Sequence, residues 1–288
     1  IAPTIPAIVA GSAVLAGLVV FERRRESRGK AALLPHAFIG TPQVRAGLLA
    51  VAVPFFCMGA QGILMTPYLQ LVAGFSALQT GLLSLLSGVP MLLCAMLVPK
   101  LLKTVRPRLV IRIGYGLVIA GVCSMALSLE PHGVTPLLFV STSLVGAGLG
   151  IANSQANNAV ASVVDPVAAQ QSGGIQGTAR NIGMALGTAV MGSLLLVAVG
   201  IGAAMQLDAL EGVAPESLAA IEGTGVSFAD DAAYEALANG AGSQGDEAAA
   251  VVETLASARC DAARASMFVL AGIVALAFVG TRSIVKRL

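Results

Sequence analysis

Long runs of hydrophobic residues alternate with short polar segments along most of the chain. A helix rises roughly 1.5 Å per residue, so about 20 apolar residues are enough to cross the hydrocarbon core of a membrane. The runs are rich in Gly, Ala, Ser and Leu and lack the two-residue alternation of a membrane β-barrel. We therefore predict an all-α polytopic membrane protein with seven transmembrane helices, at 1–21, 44–66, 78–99, 109–129, 136–156, 178–204 and 265–282.

The composition supports this class. Of the 288 residues, 56% are hydrophobic and only 11% are charged, whereas a soluble domain carries about 25% charged residues. Such a chain cannot hide its apolar side chains in one aqueous core. A soluble enzyme, a nucleic-acid-binding module and a disordered chain are therefore excluded, and the lipid bilayer is the expected surrounding.

The basic residues predict the orientation. Fifteen of the 17 Lys and Arg residues lie in four regions, at 21–45, 100–112, Arg180 and 282–287. Seven spans place all four regions on one face, which the positive-inside rule assigns to the cytoplasm. We therefore expect a multi-pass protein of the plasma or inner membrane with its N-terminus outside and its C-terminus in the cytoplasm.

The spans divide unequally along the chain, as one connecting helix and one six-helix bundle. Because the chain opens with Ile1 inside an apolar stretch and has no initiator Met, we expect a fragment or a C-terminal portion of a larger protein, with a processed product as the alternative. The predicted division is a linker helix at 1–21, a basic cytoplasmic linker at 22–43, a bundle at 44–282 and a cytoplasmic tail at 283–288.

Within the bundle, residues 205–264 form a predicted extracytoplasmic loop. This loop holds 11 of the 15 acidic residues, and we expect short solvated helices there, the last running into the seventh span. A calcium site is one interpretation of so many carboxylates. A solvated acidic loop is the better one, because no Asp-x-Asp-x-Asp-Gly spacing occurs.

The chain lacks the usual motifs for metal, nucleotide or acyl-transfer chemistry. The four cysteines form no Cys-x-x-Cys pair, and His36 and His132 fall on opposite faces of the predicted layout. Neither a phosphate-binding loop nor a Gly-x-Ser-x-Gly motif is present. We therefore expect no catalytic residue, no metal and no cofactor, and not an enzyme. The predicted spans contain no acidic residue, so any proton-carrying acid is expected outside these residues.

Candidate cavity residues lie mainly in the second span. Gln61 is a polar side chain at membrane depth, which suits either a cavity wall or packing between helices. Met58, Met65 and Phe55 offer an adaptable apolar surface, although such residues also face lipid or core. Asn153 is the fifth candidate.

Small and polar residues of the fifth and sixth spans suggest helix packing and gating. Asn153 and Asn157 are four residues apart and share one helical face near the predicted cytoplasmic end, so closing the inner mouth and simple solvation are both open. Two GxxxG patterns allow two helices to approach closely. They are Gly146 with Gly150, and Gly183 with Gly187.

Three stretches carry a family resemblance. They are Tyr68-Leu69-Gln70 with Gly74 to Leu82, then Gly146 to Gly150, and then Gln176 to Ala189 with Arg180-Asn181-Ile182-Gly183 and Gly187-Thr188-Ala189. In order and spacing they resemble the C-terminal part of the fourteen-helix drug:proton antiporter branch of the major facilitator superfamily.

The resemblance implies a function and a layout. Span 1–21 would be the second of two linker helices, and the other six would form the C-terminal bundle. Members export lipophilic, often cationic compounds in exchange for protons by alternating access, and the coupling acids belong to the N-terminal half. The resemblance supports Gln61 and Asn153 as cavity residues and gives Arg180 a role in capping or pairing between helices, with a role in transport as the alternative.

The leading hypothesis is therefore the C-terminal half of an exporter of lipophilic drugs, working by proton antiport. Two alternatives remain open. The protein could export one dedicated metabolite, or it could be a membrane scaffold or remnant that transports nothing.

Overall fold

The computed structural model describes residues 4–28, 42–102, 104–162, 166–207, 231–240 and 246–284, with some side chains, such as those of 157–172, outside the description. The chain forms eight helices in these ranges and one short β-hairpin. The helices are α1 (Thr4–Ser27), α2 (Pro42–Pro67), α3 (Ala77–Leu101), α4 (Pro107–Leu127), α5 (Leu137–Ser162), α6 (Pro166–Leu207), α7 (Asp231–Gly240) and α8 (Asp246–Ile284).

The prediction of an all-α membrane bundle is confirmed. In the described part of the chain, six helices are long and apolar enough to cross a membrane, and they coincide with the six predicted spans from 44–66 onwards. The predicted span 1–21 falls on α1. The division into linker helix, linker, bundle and tail stays a prediction, and residues 29–41 and 285–288 lie outside the described ranges.

Two helices extend well beyond their predicted limits. The sixth predicted span, 178–204, lies within the 42 residues of α6. Helix α8 begins at Asp246, inside the predicted loop 205–264, and continues to Ile284 as one helix of 39 residues. Its first half was expected as a solvated helix that runs into the last span, whereas in the structure several of its side chains are buried. Residues 208–230 and 241–245 of the predicted loop lie outside the description.

The link between α4 and α5 contains the hairpin. Strands β1 (Leu129–Glu130) and β2 (Gly133–Val134) pair antiparallel, with Leu129 opposite Val134 and Glu130 opposite Gly133. We call the end of the bundle that carries Leu129–Val134 the hairpin end. The opposite end carries the link between α3 and α4, at 102–106, and we call it the link end.

Local sequence sets the helix limits. Ser76 begins α3 with a capping box, since its hydroxyl accepts from Gln79 N and the Gln79 side chain accepts from Ser76 N. Pro107 begins α4, where a missing N–H costs nothing. Helix α2 ends at Pro67, which is followed by a π-helical turn, Tyr68–Val72, because a proline inside a helix removes one main-chain hydrogen bond.

The helices pack in pairs. α2 lies along α6, α5 lies between α3 and α4, and α8 packs against α4, α6 and α2. Buried side chains such as Leu64, Val118, Leu149 and Val274 form one hydrophobic core between them. Among the six spans, α3 is the least covered by its neighbours: only 6% of its most apolar stretch is buried. Most of its large side chains therefore face outward, as they would toward lipid.

Candidate functional site

A cavity of about 250 Å³ lies between four helices. α2 and its π-helical turn supply one wall, α3 supplies the facing wall, and α4 and α5 close the back. The lining residues are Met58, Gln61, Gly62, Met65, Thr66, Leu69, Thr80, Leu83, Ser84, Ser87, Gly88, Met91, Met125, Thr142 and Leu149.

Three of the five predicted cavity residues lie on this wall. Met58, Gln61 and Met65 follow one another at helical spacing along α2. Phe55, three residues before Met58, is not among the lining residues, and its ring lies 5.5 Å from the guanidinium carbon of Arg180. Asn153 is half-buried on α5, one turn beyond the lining residue Leu149. Whether any of the five contacts a substrate stays a prediction.

The Gln61 side chain is hydrogen-bonded at the back wall of the cavity. Its Nε2 donates to the sulfur of Met125 on α4, over 3.6 Å. The contact joins α2 to α4 at the back wall, so the amide serves both of the roles left open from the sequence. It faces the cavity, and it also packs against a neighbouring helix.

Three of the five hydroxyls on the described cavity wall bond to their own helices. Thr80 Oγ1 donates to Ser76 O over 3.1 Å, and Ser84 Oγ donates to Thr80 O over 3.0 Å. On the back wall, Thr142 Oγ1 donates to Leu138 O over 2.8 Å. A hydroxyl has one hydrogen, so each of these oxygens is left with acceptor capacity only. None of the described lining residues carries a charge.

Glycines bring α5 onto α3, and α6 onto α2. A Cβ built on Gly146 would overlap the carbonyl of Ser87, and one on Gly150 would overlap the carbonyl of Met91. In the same way, Gly183 lies against the carbonyl of Ala52 and Gly187 against that of Phe56. Both GxxxG patterns thus lie at the crossing of a helix pair, where only a glycine lets the two backbones approach so closely.

The first of these crossings also positions the cavity. Ser87 and Met91 have carbonyls against the two glycines and side chains on the cavity wall. A change in the crossing of α3 and α5 therefore changes the shape of the cavity. A gating role for the glycines stays a prediction, and the side chain of Asn157 lies outside the described residues.

Polar groups at the hairpin end bind three elements together. Tyr68 donates to the carbonyl of Glu130 and lies 3.6 Å from Cys260 Sγ, and Arg264 donates to the carbonyl of Leu129. His132 Nε2 lies 2.5 Å from Glu253 Oε2. The hairpin is thus attached to α2 and α8 at once.

Sequence reasoning missed a buried ion pair at this end. Arg259 of α8 is fully buried and pairs with Asp231 of α7, and its guanidinium carbon lies 5.1 Å from the ring of Tyr234. Both residues were assigned to the solvated acidic loop. One signal was present: Arg259 follows Leu255 and precedes Ala263 by four residues each, on one apolar face of a helix. Across the described residues, no three His, Cys, Asp or Glu side chains meet where they could hold a metal ion.

The family follows from comparison with known proteins. Residues 2–188 match the family model described as Major Facilitator Superfamily. The chain belongs to the Major Facilitator Superfamily. This is a family of membrane transporters, which points to a transporter rather than an enzyme, and its helical bundle agrees with the fold described above.

A curated relative of this superfamily chain is a probable actinorhodin transporter from Streptomyces coelicolor (strain ATCC BAA-471 / A3(2) / M145). The two are 28% identical over 204 residues, which is 70% of this chain and 35% of the relative. The chain therefore spans about a third of the length of the curated relative it matches.

Proposed function

We propose that α2 to α8 form the C-terminal bundle of a secondary exporter of lipophilic compounds, in the fourteen-helix drug:proton antiporter branch of the superfamily. The observation that carries the proposal is the uncharged, methionine-lined cavity between α2, α3, α4 and α5. Apolar pockets with a few polar groups are typical small-molecule sites. Flexible thioether side chains let one surface fit several ligands.

The helix crossings suit alternating access. In a transporter that opens to each side in turn, helices shift against their neighbours around the bound molecule. At Gly146 and Gly150 the nearest atoms of α3 belong to its backbone, and a close, smooth contact of this kind permits a small slide. Since Ser87 and Met91 belong to both the crossing and the cavity, such a slide would change the contacts between the cavity wall and a bound ligand.

The proposed proton coupling needs an acid from elsewhere in the transporter. The described cavity wall offers amide, hydroxyl and thioether groups, which do not gain or lose charge by titration near physiological pH. We therefore assign the coupling acids to the N-terminal half.

A second candidate function is export of one dedicated metabolite. The name of the Streptomyces relative, a probable actinorhodin transporter, favours it. The two candidates differ in breadth: a drug exporter lowers the accumulation of several unrelated compounds, and a dedicated exporter lowers that of one.

A matched pair of glycine variants tests the cavity. Gly88 lines it and Gly81 does not, both lie on α3, and a Cβ at either position meets no atom within 4 Å. Gly88→Leu should fill the cavity without forcing helices apart, whereas Gly81→Leu leaves it open. We expect cells without their own drug exporters to expel several preloaded lipophilic dyes when they express the full gene.

The efflux rate should fall at least about tenfold in Gly88→Leu, as expected when a ligand loses its apolar pocket, and should stay unchanged in Gly81→Leu. Export of a single compound from a broad panel would favour the dedicated exporter. Equal efflux by Gly88→Leu and the parent would refute the cavity as the transport site, and efflux of no compound would refute both functions.

A further inference from the structure

Four of the chain's nine methionines meet at the cavity. Met58 and Met65 come from α2, Met91 from α3 and Met125 from α4. A thioether sulfur makes favourable contacts with the edge of an aromatic ring. None of the described lining residues is aromatic. Within the cavity, the ring for such contacts would therefore come from the ligand.

The charge of the wall limits the charge of the ligand. A cation or an anion that leaves water for an apolar site needs a partner of opposite charge, and without one its transfer is strongly unfavourable. The described lining residues include no carboxylate, lysine or arginine. The resemblance implies substrates that are often cationic, but this wall favours an uncharged one.

The hydrogen bonds of the wall favour a ligand that donates. The hydroxyls of Thr80, Ser84 and Thr142 give their hydrogens to main-chain carbonyls, so their oxygens can only accept. Gln61 directs one N–H of its Nε2 to Met125, which leaves its Oε1 as an acceptor and its second N–H as a donor. Even when the second N–H of Gln61 and the hydroxyls of Thr66 and Ser87 are counted as donors, acceptors outnumber donors on the described wall, and a ligand hydroxyl or N–H would satisfy them.

The volume limits how much of a ligand fits. At about 250 Å³, the cavity lies just below the range of about 300 to 1,000 Å³ that holds a drug-sized molecule. One fused ring system fills it, and the rest of a larger ligand would extend beyond it.

We propose that the cavity is a subsite for an uncharged aromatic ring system that carries hydroxyl or N–H donors. The methionine sulfurs would contact the ring, and Gln61 and the cavity hydroxyls would accept from its donors. This assignment rests on the proposed export function, since it names the substrate class for the same site.

Four probes built on the same two-ring carbon skeleton test the assignment. The probe with ring and donor is 2-naphthol, 2-methoxynaphthalene lacks the donor, decahydro-2-naphthol lacks the aromatic ring, and trimethyl(2-naphthyl)ammonium adds a charge. Equilibrium dialysis against the full-length protein in lipid nanodiscs, with empty nanodiscs as the blank, measures the binding of each. We expect 2-naphthol to bind most tightly and Gly88→Leu to abolish its binding.

Variants then separate sulfur from size. Met58→Leu and Met91→Leu keep the volume nearly constant and should weaken the binding of 2-naphthol about 2- to 10-fold, the range for a lost sulfur–aromatic contact, with no change for decahydro-2-naphthol. Met96→Leu, also on α3 but exposed and outside the wall, should change nothing. Gln61→Leu removes one of the acceptors and should bring the affinity for 2-naphthol closer to that for 2-methoxynaphthalene.

Three outcomes contradict the assignment, and they differ in what they leave standing. If the cation or 2-methoxynaphthalene binds as tightly as 2-naphthol in a Gly88→Leu-sensitive manner, the ligand class is wrong while the export function stands. If no probe binds but cells still show Gly88→Leu-sensitive dye efflux, the ligand class is again wrong and the export function again stands. If neither binding nor efflux occurs, both the ligand class and the export function are wrong.

Discussion

The guanidinium group of Arg259 is fully buried and pairs with the carboxylate of Asp231, on a different helix and 28 residues away in sequence. Arg259 Nε also donates to Leu255 O within its own helix, over 3.1 Å. The pair holds the short helix α7 against the first half of α8, where Tyr234, Ala238, Val251 and Leu255 form a small second core.

The two partners differ in exposure, and this predicts an asymmetric effect of mutation. Only 1% of the Arg259 side chain is exposed, against 37% of the Asp231 side chain. Asp231→Ala removes the carboxylate that pairs with a buried cation and should lower the free energy of unfolding by about 3 kcal/mol. Arg259→Met leaves a carboxylate that water can still reach, and should cost about 1 kcal/mol.

Unfolding by titration with denaturing detergent measures both values. Asp261→Ala is the matched control, because Asp261 pairs with Arg264 over 3.4 Å at an exposed site, and such pairs contribute about 0 to 1 kcal/mol. Equal losses for Asp231→Ala and Asp261→Ala would contradict the importance of the buried pair. The Asp231→Ala, Arg259→Met double variant should lose less unfolding free energy than Asp231→Ala alone.

The glycine crossing of α3 and α5 predicts a second effect on stability. Gly150→Ala places a methyl group on the carbonyl of Met91, so the two helices must separate locally. Overpacking of this kind costs about 1 to 3 kcal/mol. In Gly116→Ala, on α4, the new Cβ meets no atom within 4 Å, and stability should stay the same or rise slightly because alanine favours a helix.

The chain's own cysteines report the unfolding. Cys57 and Cys260 are buried, so a thiol-reactive fluorophore should label them only as the bundle opens on heating. We expect the transition of Gly150→Ala to fall by several degrees and that of Gly116→Ala to stay within a degree of the parent. An unchanged transition in Gly150→Ala would show that the two helices can separate at no cost.

The proposed orientation predicts which residues react from outside the cell. In a background without the four native cysteines, Glu235→Cys on α7 and Thr104→Cys in the link between α3 and α4 each supply one exposed thiol. Because the basic link end is assigned to the cytoplasm, a membrane-impermeant maleimide should label position 235 in intact cells. It should label position 104 only after permeabilisation. The reverse labelling pattern would show that the hairpin end faces the cytoplasm and that the predicted orientation is wrong.

Hydropathy was sufficient to locate the helices of the bundle. A stretch of about 20 apolar residues has one stable form in lipid, a helix with its backbone hydrogen bonds satisfied internally. The information is local, so 44–66 and 136–156 were found close to α2 and α5 without any knowledge of their neighbours. The same local information predicted a solvated helix that runs into the last span. It did not predict that several side chains in the first half of α8 are buried, because that burial depends on the helices packed against it.

The cavity depended on the tertiary structure. Phe55 and Met58 lie three residues apart in one apolar stretch, and their sequence context is alike, yet only Met58 lines the cavity. Met91 and Met125 were not candidates, because nothing in their own spans distinguishes a methionine that faces a cavity from one that faces lipid.

The sequence by itself therefore determined the class of protein, the helices and the basic end. The packing of the helices decided which residues form the cavity and brought Arg259 to Asp231. The physical reason is that transfer of a helix into lipid is a sum over its own residues, whereas a cavity or a buried ion pair exists only where faces of different helices meet.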